Sequence, residues 1–158
     1  MQPRVTLALK TLIAAMLVIL VFSQIVVIPA VARGTAEHNP DLAYLEVPGI
    51  IGATLFLAAV ELVLICIWRL LSLVRTEQIF SPKAFVWIDV IIGTFVFAGL
   101  LIGASLVVLA LGRAVNPSIT LLGVLGVVVG GALALLVVVM RGLLTKALQL
   151  EQDLSEVV

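Results

Sequence analysis

The chain has 158 residues and few of the kinds that carry chemistry: one cysteine, one histidine, one tyrosine and only 11% charged residues, against about 25% charged in a soluble domain. The single thiol, Cys66, cannot form an intrachain disulfide, and no CxxC or Cys/His cluster offers a zinc or iron–sulfur site. Its place inside an apolar run makes it a small hydrophobe. The single imidazole, His38, lies in a polar stretch with Glu37 and Asp41. A membrane haem held by two histidines would need imidazoles within the apolar runs and is excluded; one histidine beside two carboxylates reads as a solvated face. Nine Lys+Arg balance nine Asp+Glu, which leaves no basic field for direct nucleic-acid binding and no acidic tail. No nucleotide-binding glycine loop, catalytic triad or HExxH pattern occurs, so neither a cofactor nor enzymatic activity is expected.

What is abundant is hydrocarbon. Hydrophobic residues make up 63% of the chain, against about 45–50% in a globular one. A hydrocarbon layer about 30 Å thick takes roughly 20 apolar helical residues, and four runs qualify, at about 11–28, 50–73, 84–111 and 119–140. The fold expected is all-α: a polytopic membrane protein with a four-transmembrane-helix bundle over residues 1–141 and an amphipathic tail over 142–158. Helices are required because the runs are continuous, not alternating, and the backbone must satisfy itself within each segment.

The punctuation agrees. Pro29 is expected to stop the first span and Pro48-Gly49 to mark a turn before the second. Ser81-Pro82 and Asn116-Pro117 set a capping side chain before a proline at the first helical position, and Phe80 and Phe85 are spaced as a hydrophobic staple. Between the first two spans, Asn39-Pro40-Asp41 predicts a short interfacial helix with Tyr44 at headgroup level. Ala30-Val31-Ala32 has the form of a signal-peptide cleavage site, but the preceding run is longer than a usual signal peptide's apolar segment, so retention of the first span is expected.

Seven of the nine cations, Arg4, Lys10, Arg69, Arg75, Lys83, Arg141 and Lys146, fall on one side of this layout, and only Arg33 and Arg113 on the other. The positive-inside rule therefore predicts cytoplasmic N- and C-termini in the inner membrane of a cell, with the 30–48 loop facing outward.

Few polar residues enter the spans. Glu61 sits halfway along the second, where an ionised carboxylate costs several kcal/mol unless paired, protonated or hydrated. It should face the bundle interior, with Ser105, Ser23 and Gln24 as partners by depth. The favoured role is a neutral, hydrogen-bonded acid that specifies packing; the functional one is a proton or cation site. Arg69 and Asp89 share a depth near the cytoplasmic edge of an antiparallel hairpin, and an ion pair locking that hairpin, with Arg75 nearby, is expected. Gly99 with Gly103, and Gly126 with Gly130, followed by Gly131 and Ala134, form small faces suited to tight intrachain packing.

The tail carries a pattern of its own. Leu143, Ala147, Leu150, Leu154 and Val157 recur at spacings of four and three, with Lys146, Gln149, Gln152, Asp153 and Glu156 between them. That is an amphipathic helix with a narrow seam. It can pack back under the bundle, lie on the membrane surface, or dock a protein partner or a second copy; its mixed, slightly acidic polar face makes lipid binding the less attractive choice.

The stretch Arg75-Thr76-Glu77-Gln78-Ile79-Phe80-Ser81, entering a span that contains Asp89, resembles the central cytoplasmic turn of a bacterial family defined by domain of unknown function 2975. So do the tail Ala147–Asp153-Leu154 and the four-span layout. The resemblance implies a small four-span inner-membrane protein, often encoded beside a small helix-turn-helix regulator, with no catalytic residues to carry over. The function expected is non-catalytic: binding of a protein partner through the cytoplasmic turn and tail, as anchor or sensor for such a regulator or as an accessory subunit of a membrane complex. The alternative is a small oligomeric proton-coupled transporter using Glu61. Small multidrug-resistance exporters offer the comparison, but their membrane glutamate lies in the first span and their loops are shorter.

Overall fold

With no water to bond a free N–H or carbonyl, a chain this apolar has helices as its economical choice. A computed structural model describes residues 3–75, 82–112 and 117–156, and among these there is no strand. The elements are α1 (Pro3–Phe22), a π-helical turn (Ser23–Val27), α2 (Ile28–His38), a 3-10 helix (Pro40–Leu45), α3 (Glu46–Arg75), α4 (Pro82–Leu111) and α5 (Pro117–Glu156). Four helical stretches, Val5–His38, Ala43–Leu73, Phe85–Leu111 and Pro117–Leu150, are long and apolar enough to cross a membrane. The protein is an all-helical, multi-pass membrane protein.

Pro29 does not end the first span. Its missing N–H and its ring disturb the carbonyl four residues back, and the chain answers by widening the turn before it, so that the Ile28 N–H donates to the Ser23 carbonyl. Widening costs less than unwinding in hydrocarbon, where each orphaned backbone group costs several kcal/mol. The helix therefore continues to His38 and consumes most of the loop expected over 30–48. It stops where Asn39 turns extended, at φ −135° and ψ 82°, as a residue before proline prefers. The Asn39 backbone N–H donates to the Thr35 carbonyl at 3.0 Å, and His38 Nδ1 donates to the Gly34 carbonyl at 2.7 Å. His38 is exposed, as a solvated face requires.

The short helix expected after Asn39 is the 3-10 helix. It runs directly into α3, so Pro48 is not in a preceding turn but is the third residue of that helix, where a missing N–H is no loss. α4 and α5 begin at Pro82 and Pro117 as their sequences predict; Phe80, Ser81 and Asn116 lie outside the described residues. α5 has 40 residues, about 60 Å of helix, or roughly twice the hydrocarbon thickness. It passes through Gly142 unbroken, so the boundary expected there is no interruption of the backbone.

The bundle is open. α1 and α2 pack on α3, α3 on α4 and α4 on α5, with no backbone approach of α1 to α5 among the described residues. The buried side chains Ile13, Ala59, Cys66, Ile91 and Thr94 come from α1, α3 and α4, and α5 contributes none among the described residues. Cys66 is fully enclosed, which fits its reading as a small hydrophobe.

The α4–α5 register is antiparallel. A β-carbon on Gly123 would lie 3.0 Å from Leu106 Cδ2, and one on Gly126 3.4 Å from Ile102 Cδ1. Gly126 is thus in the interface, but Gly99, Gly103, Gly130 and Gly131 meet nothing within 4 Å, which corrects the expectation of tight packing there. Gly99 and Gly103 each precede Ile102 and Leu106 by three residues. That rotates their stripe about 60° away from the face α4 turns toward α5.

At the end opposite the termini, the Tyr44 hydroxyl donates to the Gly112 carbonyl at 3.0 Å, tying the 3-10 helix to the end of α4. A β-carbon on Gly112 would overlap that hydroxyl. Gly112→Ala is therefore expected to displace the ring as well as the bond. In detergent denaturation it should cost more than Tyr44→Phe, which removes only a hydrogen bond, about 1 kcal/mol. Equal losses would show that the contact depends on the bond alone.

Candidate functional site

Three groups of residues stand out from the sequence: Arg69 and Asp89, Glu61, and the tail seam. The first group lies at the end of the bundle that carries the chain termini, called here the basic end.

Asp89 and Arg69 are not partners. Asp89 Oδ2 accepts from Arg141 Nη2 at 3.0 Å, and the Arg69 guanidinium lies over the Trp87 ring, 5.8 Å from its centroid. The shared depth was legible; the facing was not. Trp87 and Asp89 are two residues apart, roughly 200° around the helix, so α4 presents the ring to α3 and the carboxylate to α5. The side chain of Arg75 is outside the described part.

Two further contacts of the same kind flank this one. Lys10 Nζ is 5.6 Å from the Trp68 ring centroid and donates to Ser72 Oγ at 2.9 Å. The Arg141 guanidinium is 6.0 Å from the Phe85 ring. Every neighbouring pair at the basic end, α1–α3, α3–α4 and α4–α5, is thus joined by one cation over one aromatic ring. Both tryptophans of the chain take part, and their position within five residues of the span ends Leu73 and Phe85 is the signal by which the set could have been found. The Asp89–Arg141 side chains are 50% and 44% exposed. Such a pair is worth about 0–1 kcal/mol and each cation–aromatic contact about 0.5–1 kcal/mol. The set fixes register more than it adds stability.

Glu61 is at mid-span on α3, and its Oε1 is buried without a hydrogen-bond partner; so is Nε2 of Gln24 on the π turn. The π turn packs on α3. Counting up from the Lys10–Ser72 contact, Gln24 is 14 residues along one helix and Glu61 is 11 along the other, so their heights agree within roughly 5 Å. Of the partners expected by depth, Ser105 is excluded. It faces Gly52, 3.7 Å from a β-carbon built there, roughly 14 Å along α3 from Glu61, and its hydroxyl donates to the Leu101 carbonyl at 2.8 Å. Gln24 is the residue brought to the right level, on a wide turn the sequence did not announce.

Along the tail, Leu143, Ala147 and Leu150 are exposed. Leu144 and Leu148 between them are partly covered and continue the stripe of Gly123 and Gly126 that faces α4. The side chain of Leu154 and the whole of Val157 lie outside the described part.

The pairing at the basic end predicts a double-mutant result. Asp89→Asn and Arg141→Gln should be non-additive in unfolding free energy. Asp89→Asn and Arg69→Gln should add within about 0.5 kcal/mol, and coupling in the second cycle would restore the Arg69–Asp89 pair.

No curated protein and no solved structure matches the chain. The model of the family described as Protein of unknown function (DUF2975) matches residues 30–158, well over half of the sequence, and includes all but the first two residues of α2, and α3 through α5 with the basic-end contacts among them. The chain belongs to that family.

Proposed function

We propose that this is a non-catalytic protein of a bacterial inner membrane, with both termini cytoplasmic, that binds a protein partner through its cytoplasmic turn and tail. The observation that carries this reading is the uncovered seam of α5. The helix runs on to Glu156, and Leu143 and Leu150 are 62% and 63% exposed on the side turned away from the Leu144–Leu148 stripe. Both residues lie in the last turns of the apolar stretch Pro117–Leu150, and where the continuous helix emerges from hydrocarbon a helical or grooved partner can cover the seam. A small helix-turn-helix regulator encoded nearby, held or sensed at the membrane, fits the family's setting; an accessory role in a membrane complex, or a second copy, uses the same seam. The seven cations on the terminal side support the orientation.

The test is co-purification of partner proteins, or of a second copy, with the tagged full chain in mild detergent, beside a Leu143→Glu/Leu150→Glu variant and a chain lacking residues 142–158. Association should be lost in both altered chains while helicity and yield of the double variant are kept. Association independent of the tail sinks the docking role.

A second reading keeps Glu61 as the coupling acid of a small oligomeric transporter. What supports it is the pair of unsatisfied buried atoms, Glu61 Oε1 on α3 and Gln24 Nε2, the latter on a π turn, a feature frequent at functional sites. In proteoliposomes, substrate-linked proton movement should be abolished by Glu61→Gln; movement that survives the substitution excludes this role for the residue.

A further inference from the structure

At the end away from the termini, α2 and α3 enclose a cavity of about 420 Å³ that Leu109 of α4 and Ile119 of α5 help to line. It exists because both helices present small residues there. On α2, Ala32 and Ala36 are one turn apart, and on α3 so are Gly49 and Ala53, leaving a gap that larger side chains would fill. Its volume falls within the range of small-molecule sites, about 300–1,000 Å³, and its lining follows the usual pattern of apolar walls with few polar groups. Because α2 and α5 do not meet among the described residues, the cavity is not shut off from the bilayer.

Among the residues that line it only one is titratable, Glu46, in the first turn of α3, a position suited to a negative group. No described residue forms an ion pair with it. On this side of the sequence Glu37 and Asp41 stand against Arg33 and Arg113, so the acidic group of the cavity itself is Glu46. We infer that this cavity binds an amphiphile with an apolar body and one cationic group, the body among the α2–α3 small residues and the cation at Glu46. This is independent of the docking role of the tail, which lies at the opposite end.

The probe is tetraphenylphosphonium, titrated onto the full chain in nanodiscs of phosphatidylglycerol, with tetraphenylborate as the anion of the same shape. Saturable binding of the cation alone is expected. Glu46→Gln should weaken it about tenfold, and Ala53→Phe or Ala36→Phe, which fill the cavity from opposite walls, should abolish it. Two filling variants guard against one that fails to fold, and Glu46→Gln changes no shape. Repeating the titration with phosphatidylethanolamine in the disc separates the sources. Weakening by that lipid in the unmodified chain but not in Glu46→Gln makes a lipid amine the natural occupant, and unchanged binding makes it a free lipophilic cation. Equal binding of tetraphenylborate, or affinity that survives Glu46→Gln and both fillings, reduces the signal to partition into the bilayer and overturns the site.

Discussion

Hydrocarbon offers no partner to a backbone N–H or carbonyl, and an orphaned group costs several kcal/mol there. That constraint makes the chain helical and explains why its irregularities take the forms they do. Pro29 widens a turn to π geometry and leaves the helix otherwise intact. The hydroxyls of Thr11, Thr94 and Ser105 fold back on carbonyls of their own helices at 3.0, 2.7 and 2.8 Å. These three hydroxyls are thereby spent within single helices and do not join one helix to another.

Interhelical specificity must then come from elsewhere, and it is concentrated at the two ends. At the basic end, Lys10, Arg69 and Arg141 each lie over an aromatic ring of a neighbouring helix. There, long side chains keep their charge near water while their stems and the rings stay in hydrocarbon. At the other end Tyr44 and Gly112 make the corresponding tie. Between the ends the contacts are apolar and adaptable, and no hydrophobic driving force separates one apolar neighbour from lipid. An open bundle, a cavity at one end and an uncovered α5 seam at the other follow from that division.

Among the described residues, the two buried polar atoms that escape the rule are the informative ones. Glu61 Oε1 and Gln24 Nε2 stay unsatisfied at similar depth, and consistency across levels fails where function or strain is expected. They are far from the tail seam, but Gln24 is only three residues from Val27, which lines the wall of the Glu46 cavity.

By itself the sequence determined the four spans, the proline starts of α4 and α5 and the asymmetry of charge, because these depend on local composition. Depth was legible too: Arg69 and Asp89 lie at one level, as do Gln24 and Glu61. Facing was not. Whether Asp89 meets Arg69 or Arg141, whether Gly99 or Gly126 is packed, and whether Pro29 ends a helix are decided by rotation about the helix axis and by the cost of alternatives in the bilayer. Small shifts in turn geometry upstream set that rotation, so only the tertiary structure fixes it.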